Sequence, residues 1–370
     1  MLAGGDFVYK GVMALYWVFL ARQMSVDGLG ILALANAIAM PAYVIIDAGL
    51  TTMLVRDYSD SGGLLRAHRA RVFRRVAFAV LMVVPLAAFG WLLGDIWEAA
   101  LATGLMALAY LFDFCGQLLM APSRAATRME PDAAVRLVQS VGTVGVTLTL
   151  ILAGKTSPAW IASASTVAYL AAMYPAAKVW RRSARWSRDP GHEGEAGSPD
   201  PRLVTQGTIA FTVFSRVDSL LVQVLLGPAA LASYTVAIKL VEVARLLPGA
   251  LARIVLARSS DAASHSYDLR SHLKTGLALG AIGALGLVLA GPLVLGILFG
   301  DEYRELAGTA IRILGVSVVP FAVSSAAVMY TVGSGQGAVL RRLTVESLVV
   351  LVVAIVGMAE MLGRGFASLR

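Results

Sequence analysis

Residues 273–299 read LKTGLALGAIGALGLVLAGPLVLGILF, with one charged side chain, Lys274, near the start and apolar or small residues from there on. A run of this kind supplies the ~20 residues with which an α-helix crosses the hydrocarbon core of a bilayer. Working outward in both directions, the pattern repeats over Leu2 to Ala21, Leu29 to Val55, Val76 to Leu93, Ile96 to Ala121, Ala133 to Ala153, Pro158 to Trp180, Leu203 to Leu226, Pro228 to Ala257, Ala307 to Val332 and Val339 to Leu362. Eleven such stretches leave no room for a soluble domain. The expected fold class is therefore all-α and polytopic, because only helices satisfy their own backbone hydrogen bonds in lipid without closing a barrel.

Composition agrees. Hydrophobic residues make up 58% of the chain and charged residues 15%, against about 25% charged in soluble domains; the mean hydropathy is +0.75. A single cysteine, Cys115, leaves no intramolecular disulfide to form. The first stretch lacks a basic lead and a small-residue cleavage site, so it reads as a mature helix and not as a signal peptide.

Basic residues gather in alternate loops. Arg56, Arg66, Arg69, Arg71, Arg74 and Arg75 follow the second stretch, Arg124, Arg128 and Arg136 the fourth, Lys178, Arg181, Arg182, Arg185, Arg188 and Arg202 the sixth, Arg253, Arg258, Arg270 and Lys274 the eighth, and Arg341 and Arg342 the tenth. The other loops and the tail hold Arg22, Lys155, Arg304, Arg364 and Arg370. Retention of basic loops on the cytoplasmic side places the N-terminus in the cytoplasm. The net charge of +8 then reads as topology and contact with anionic lipid. Nucleic acid is not an expected partner, because no basic domain stands clear of the membrane.

Residues Arg181 to Arg202 combine charge, Pro and Gly in the manner of a linker. They divide the chain into a front lobe, 1–180, with six stretches, the linker 181–202, and a rear lobe, 203–370, with about five. The lobes echo each other: Gly28 to Ala35 aligns with Ala230 to Ala237, and the same displacement of 202 pairs Arg56 with Arg258. Units repeated in this way commonly enclose a transporter's binding site.

Phe214-Ser215-Arg216-Val217-Asp218-Ser219-Leu220-Leu221, then Leu225-Leu226-Gly227 and Tyr234 to Glu242, resemble the seventh and eighth helices of the polysaccharide flippases in the multidrug/oligosaccharidyl-lipid/polysaccharide (MOP) exporter superfamily. Asp47-Ala48-Gly49-Leu50 with Leu54-Val55-Arg56-Asp57 is similar to the end of the second helix of that family, Ile297 to Tyr303 to its ninth-to-tenth connection, and Arg124 to Val141 to its fourth-to-fifth. The resemblance implies two bundles related to those of MATE antiporters, and twelve or fourteen helices; the chain, read to Arg370, offers no counterpart of the twelfth.

Charges inside spans are disfavoured by about 2.5–3.5 kcal/mol each near a helix centre on insertion scales, yet Asp6, Lys10, Asp47, Asp113, Arg216, Asp218, Lys239, Glu242, Arg245, Arg312, Glu346 and Glu360 lie within or near them. In one reading Lys10, Arg216, Lys239 and Arg245 line a cavity between the lobes and hold a lipid-linked phosphate or pyrophosphate by charge-assisted hydrogen bonds, with Asp47, Asp218 and Glu242 as coupling carboxylates or ion-pair partners. In the other, the charges form internal pairs, Asp218 with Lys239 among them, that steady the bundle and touch no substrate. Glu242 is three residues from both Lys239 and Arg245 and within reach of either. Arg56 and Arg258 read as headgroup anchors, Arg22 as the same on the opposite face. Pro41, Pro85, Pro248 and Pro320 interrupt spans and are expected to kink them. Gly276, Gly280, Gly283 and Gly286 are expected to admit a closely packed neighbour.

No phosphate-binding loop, paired-His motif or nucleophile with a base is present, so no catalytic residue, metal or cofactor is expected and the chain reads as a non-enzyme. The resemblance implies a flippase that carries a polyprenyl-(pyro)phosphate-linked oligosaccharide across the bacterial inner membrane by alternating access. Expected partners are the glycolipid, membrane lipids, and the polysaccharide polymerase and chain-length machinery. A MATE-like cation-coupled exporter of small molecules is the nearer alternative, a membrane glycosyltransferase or polymerase the more distant one.

Overall fold

The computed structural model describes residues 2–51, 53–55, 65–94, 96–126, 130–183, 216–259, 269–333 and 342. The linker beyond Ser183, the first part of the seventh stretch and the eleventh stretch apart from Arg342, with Glu346 and Glu360, lie outside the described residues, as do the side chains of Asp6 and Lys10. Within the described residues the chain is helical and contains no strand. In the front group these are α1 (Leu2–Gln23), α2 (Val26–Asp47), α3 (Leu65–Gly94), α4 (Trp97–Ala125), α5 (Glu130–Leu152) and α6 (Pro158–Ser183). The rear group has α7 (216–226), α8 (Pro228–Ala244), α9 (Leu246–Ser259), α10 (Leu269–Phe299), α11 (Asp301–Val316) and α12 (Val318–Gly333).

Among the described residues six spans are long and apolar enough to cross a membrane. Their burial shows that lipid is the solvent. The span of α2 is 61% buried, whereas that of α3, Ala70–Gly94, is only 11% buried. On α3 and α10 the exposed side chains include Phe73, Leu81, Val84, Leu92, Ile282, Leu285 and Leu289. A continuous apolar surface of that extent is sustained by hydrocarbon and not by water. The protein is a multi-pass membrane protein.

Front helices pack on one another chiefly through α4 with α6, α3 and α2, and α5 with α6, and rear helices through α10 with α11 and α12, and α9 with α12. The groups meet mainly through α2 and α8. One apolar cluster spans this junction, with Trp17, Leu20, Leu29 and Leu34 from the front and Leu231, Val236, Leu295 and Phe299 from the rear. A second cluster, Ile46, Leu50, Leu54, Ala79, Leu111, Phe114, Leu118 and Ala121, belongs to the front group alone. Burial along the two central helices marks where they part. On α2 the run Gly28–Ala39 is buried except for Asn36, and from Met40 to Ile45 the residues become partly or fully exposed. On α8 burial persists to Val241 and ends at Glu242. The sequence displacement of 202 maps Met40 onto Glu242, so the two helices separate at equivalent depths.

Prolines act unevenly. Helices α2 and α3 continue through Pro41 and Pro85. By contrast α8 ends at Ala244 and α11 at Val316, each four residues before a proline, Pro248 and Pro320. The missing N–H of each proline would have bonded those residues' carbonyls. The break in the second stretch falls instead at Ala48 and Gly49, whose φ values of 39° and 75° are left-handed. Of the glycines in α10, Gly280 fits against Val318, Val319 and Ala322 of α12, Gly276 against Ala322 and Gly283 against Val318, while Gly286 has open space beside it. Arg22, expected at the headgroups, instead reaches across to the backbone carbonyls of Ile297 and Leu298.

Candidate functional site

Five charged residues of the rear group, Arg216, Asp218, Lys239, Glu242 and Arg245, collect where α2 and α8 separate. The tight turn between α7 and α8, made by Gly227 at φ 84° followed by Pro228, folds α7 back beside α8 and brings Asp218 to Tyr234. The Tyr234 hydroxyl donates to Asp218 Oδ2 at 2.6 Å, and Ser219 N donates to Oδ1 at 2.6 Å. Two residues earlier, Arg216 extends toward the front group, where its Nη2 lies 3.3 Å from the Met40 sulfur.

Lys239 and Glu242 form an ion pair at 2.8 Å, one turn apart on α8. The Lys239 ammonium also sits 5.5 Å from the centre of the Trp17 ring, within cation–π range. The pairing of Asp218 with Lys239 that the sequence allowed is therefore not the one formed, because each has a nearer partner, Tyr234 and Glu242. Arg245 occupies the break after α8. Its Nη2 donates to Ser317 Oγ at 2.8 Å, and its guanidinium lies 4.8 Å from the Phe321 ring centre.

Donors remain unused. The Nε atoms of both Arg216 and Arg245 are buried without a hydrogen-bond partner among the described residues. A buried unmet donor costs about 1–3 kcal/mol, more when it belongs to a charged group. Two arginines in that condition, flanking a pair of carboxylates already held by Tyr234 and Lys239, leave an excess of positive charge and free N–H groups at one place. The front group offers no counterpart: the residues equivalent to Lys239, Glu242 and Arg245 are Ala37, Met40 and Tyr43. The positive charge of the site therefore comes from the rear group, while Tyr43 packs within the front group, stacked on Tyr110 at 5.8 Å.

Asp47 stands apart from this cluster. Its Oδ1 accepts from Thr51 N at 3.1 Å and Thr51 Oγ1 at 2.6 Å, and its Oδ2 from Gly49 N at 3.1 Å, so it caps the turn that follows α2. A second polar cluster was not assembled by sequence reasoning. Asp113 accepts from Gln117 Nε2 at 3.2 Å and Gln139 Nε2 at 3.0 Å. Gln117 in turn accepts from Arg124 at 2.8 Å, and Arg124 pairs with Asp132 at 2.7 Å, as Arg136 does at 3.2 Å. Gln117, one turn beyond Asp113, was the legible signal; Gln139, on another helix, was not. Among the described residues no group of three His, Cys, Asp or Glu side chains could hold a metal.

Comparison with curated protein sequences gives no significant match. Among solved structures, the chain is similar to one described as the inward-facing conformation of a multidrug resistance MATE family transporter of the MOP superfamily, with a TM-score of 0.63 and 13% identity over 91% of this chain and 84% of that one. It is also similar to the eukaryotic MATE transporter AtDTX14, with a TM-score of 0.55 and 14% identity over 92% of this chain and 80% of that one. At such identities the likeness concerns the fold, which is that of MATE transporters. Residues 19–308 match the family described as polysaccharide biosynthesis protein, and on that match, which takes in most of the sequence, the chain belongs to this family.

Proposed function

We propose that the protein is a flippase that moves a polyprenyl-(pyro)phosphate-linked oligosaccharide across the bacterial inner membrane, with the N-terminus in the cytoplasm. The observation that carries this reading is the pair of buried, unmet Nε donors on Arg216 and Arg245 at the point where α2 and α8 part. A phosphate or pyrophosphate supplies acceptor oxygens in the number and geometry that guanidinium groups bind best. Lys239, already paired with Glu242, contributes field more than direct contact, and Lys10 on α1 is proposed as a further cation facing the same passage. The glycan would occupy the gap beyond the separation point while the prenyl chain stays in lipid.

The arrangement of the helices suits alternating access. The two groups touch at one end and diverge at the other, so rocking about the α2–α8 contact would move the site from one face to the other. The proposed glycan polymerase and chain-length partners would receive the product at the far side. A cation-coupled drug exporter is the weaker reading, because the cluster described here carries more positive than negative side chains.

Binding of a short-chain polyprenyl diphosphate to the purified protein tests the reading. Arg216→Gln and Arg245→Gln should each weaken binding by roughly 10- to 100-fold, the equivalent of about 1.5–3 kcal/mol for one hydrogen bond to a charged group. Undiminished affinity in both folded variants contradicts it.

A further inference from the structure

The junction between the groups is held at one face by contacts that repeat across the pseudo-symmetry. Arg22, at the end of α1, donates from Nε to Leu298 O at 2.7 Å and from Nη2 to Ile297 O. These are carbonyls of the last turn of α10, which has no basic residue of its own there. Helix C-termini leave such carbonyls unpaired and carry partial negative charge, so a cation from elsewhere can cap them. In the opposite sense, Gln223 near the end of α7 donates from Nε2 to Leu93 O at 3.2 Å, in the last turn of α3, which also lacks a basic residue.

The two contacts are counterparts. The displacement of 202 maps Arg22 onto Val224, next to Gln223, and Leu93 onto Leu295, two residues before Ile297. In each case a side chain at the end of one group's first helix caps the end of the other group's third apolar stretch, α10 for Arg22 and α3 for Gln223. Between them lies a close seam: Gly30 of α2 faces Pro228 of α8 so closely that a Cβ on Gly30 would collide with the Pro228 carbonyl.

We propose that these two reciprocal helix-end caps and the Gly30–Pro228 seam form the gate of this face, which rocking must break to open the cavity toward it. In the proposed orientation this is the outer face, and the assignment rests on the transporter reading. The chemistry suits a reversible closure. The Arg22 bonds are exposed to solvent, so water can replace them when they part. The Gln223 Oε1 is a buried acceptor with no donor among the described residues, a penalty of the closed state that opening would relieve by hydration. The seam holds only because both backbones come close, which a side chain on Gly30 would prevent.

Pulsed electron spin resonance on the full chain in lipid nanodiscs tests this with no glycolipid present. In a Cys115→Ala background, spin labels at cysteines replacing Lys155 and Glu302 report the separation of the two groups at this face. Arg22→Ala, Gln223→Leu and Gly30→Val should each raise the fraction of the longer distance at least threefold over the parent, while Arg22→Lys, which keeps a cation, should raise it less than Arg22→Ala. If Gly30→Val does not yield folded protein, the two cap variants decide. Distance distributions unchanged in Arg22→Ala and Gln223→Leu overturn the gate. Because no substrate enters the measurement, that result leaves the flippase reading standing, and a failure to flip glycolipid would not alter the distances.

Discussion

Arg245 and Ser317 are hydrogen-bonded at 2.8 Å across two broken helices, and each is the first residue beyond the end of its helix. Each also lies three residues before a proline, Pro248 and Pro320. The bond ties the two interruptions of the rear group together and holds the Arg245 guanidinium at the separation of α2 from α8. The interruptions ahead of Pro248 and Pro320 are thus coupled, and they are the place where the rear group would hinge.

Replacing either proline tests that hinge. Pro248→Ala restores a backbone donor to Ala244 O and removes the ring clash, which stabilises a helix interior by up to about 3 kcal/mol. The expected outcome is a higher melting temperature in detergent together with slower glycan export, since a straightened α8–α9 moves Arg245 away from Ser317. Ser317→Ala alone should lower stability by about 1 kcal/mol, measured in the same way.

The Asp113 cluster makes a different prediction. Its carboxylate is held by two amides, and those amides lead to Arg124, Asp132 and Arg136. Asp113→Ala strands the Gln139 donor and unbalances the chain of charges, for an expected loss of about 2–3 kcal/mol. Asp113→Asn keeps the shape and one acceptor and should lose less. Thermal unfolding of the two variants in detergent checks the order.

Helix packing in the rear group is read directly by two glycines on one helix. A Cβ on Gly280 would lie 2.9 Å from the Ala322 Cβ and 3.1 Å from the Val319 Cα, whereas one on Gly286 meets nothing within 4 Å. Gly280→Val should therefore cost about 1–3 kcal/mol through overpacking, and Gly286→Val little. Equal melting temperatures for the two would contradict the α10–α12 packing.

How far the sequence discloses this architecture depends on the range of each signal. Apolar length needs no tertiary information, which is why the stretch at 273–299 and its neighbours announce a membrane protein. Local contacts were also legible, such as the Lys239–Glu242 pair one turn apart. Contacts between helices were not. Nothing in the spacing of Asp218 singles out Tyr234 over Lys239, because that choice depends on how the Gly227 turn sets α7 against α8. Arg22 looked like a headgroup anchor because sequence shows that it ends a helix but not that the end of α10 lies beside it. Asp47 looked titratable, and its cap over Gly49 and Thr51 depends on a break that no proline marks.

The most direct measurement is glycolipid movement itself. With purified protein in proteoliposomes, a fluorescent polyprenyl-diphosphate oligosaccharide, and a membrane-impermeant quencher, the wild-type chain should expose label initially confined to one leaflet. The Arg216→Gln/Arg245→Gln double variant, at equal reconstitution, should fall to the rate of protein-free vesicles. Label movement by the double variant at the wild-type rate would contradict the claim that these two arginines carry the phosphorylated glycolipid.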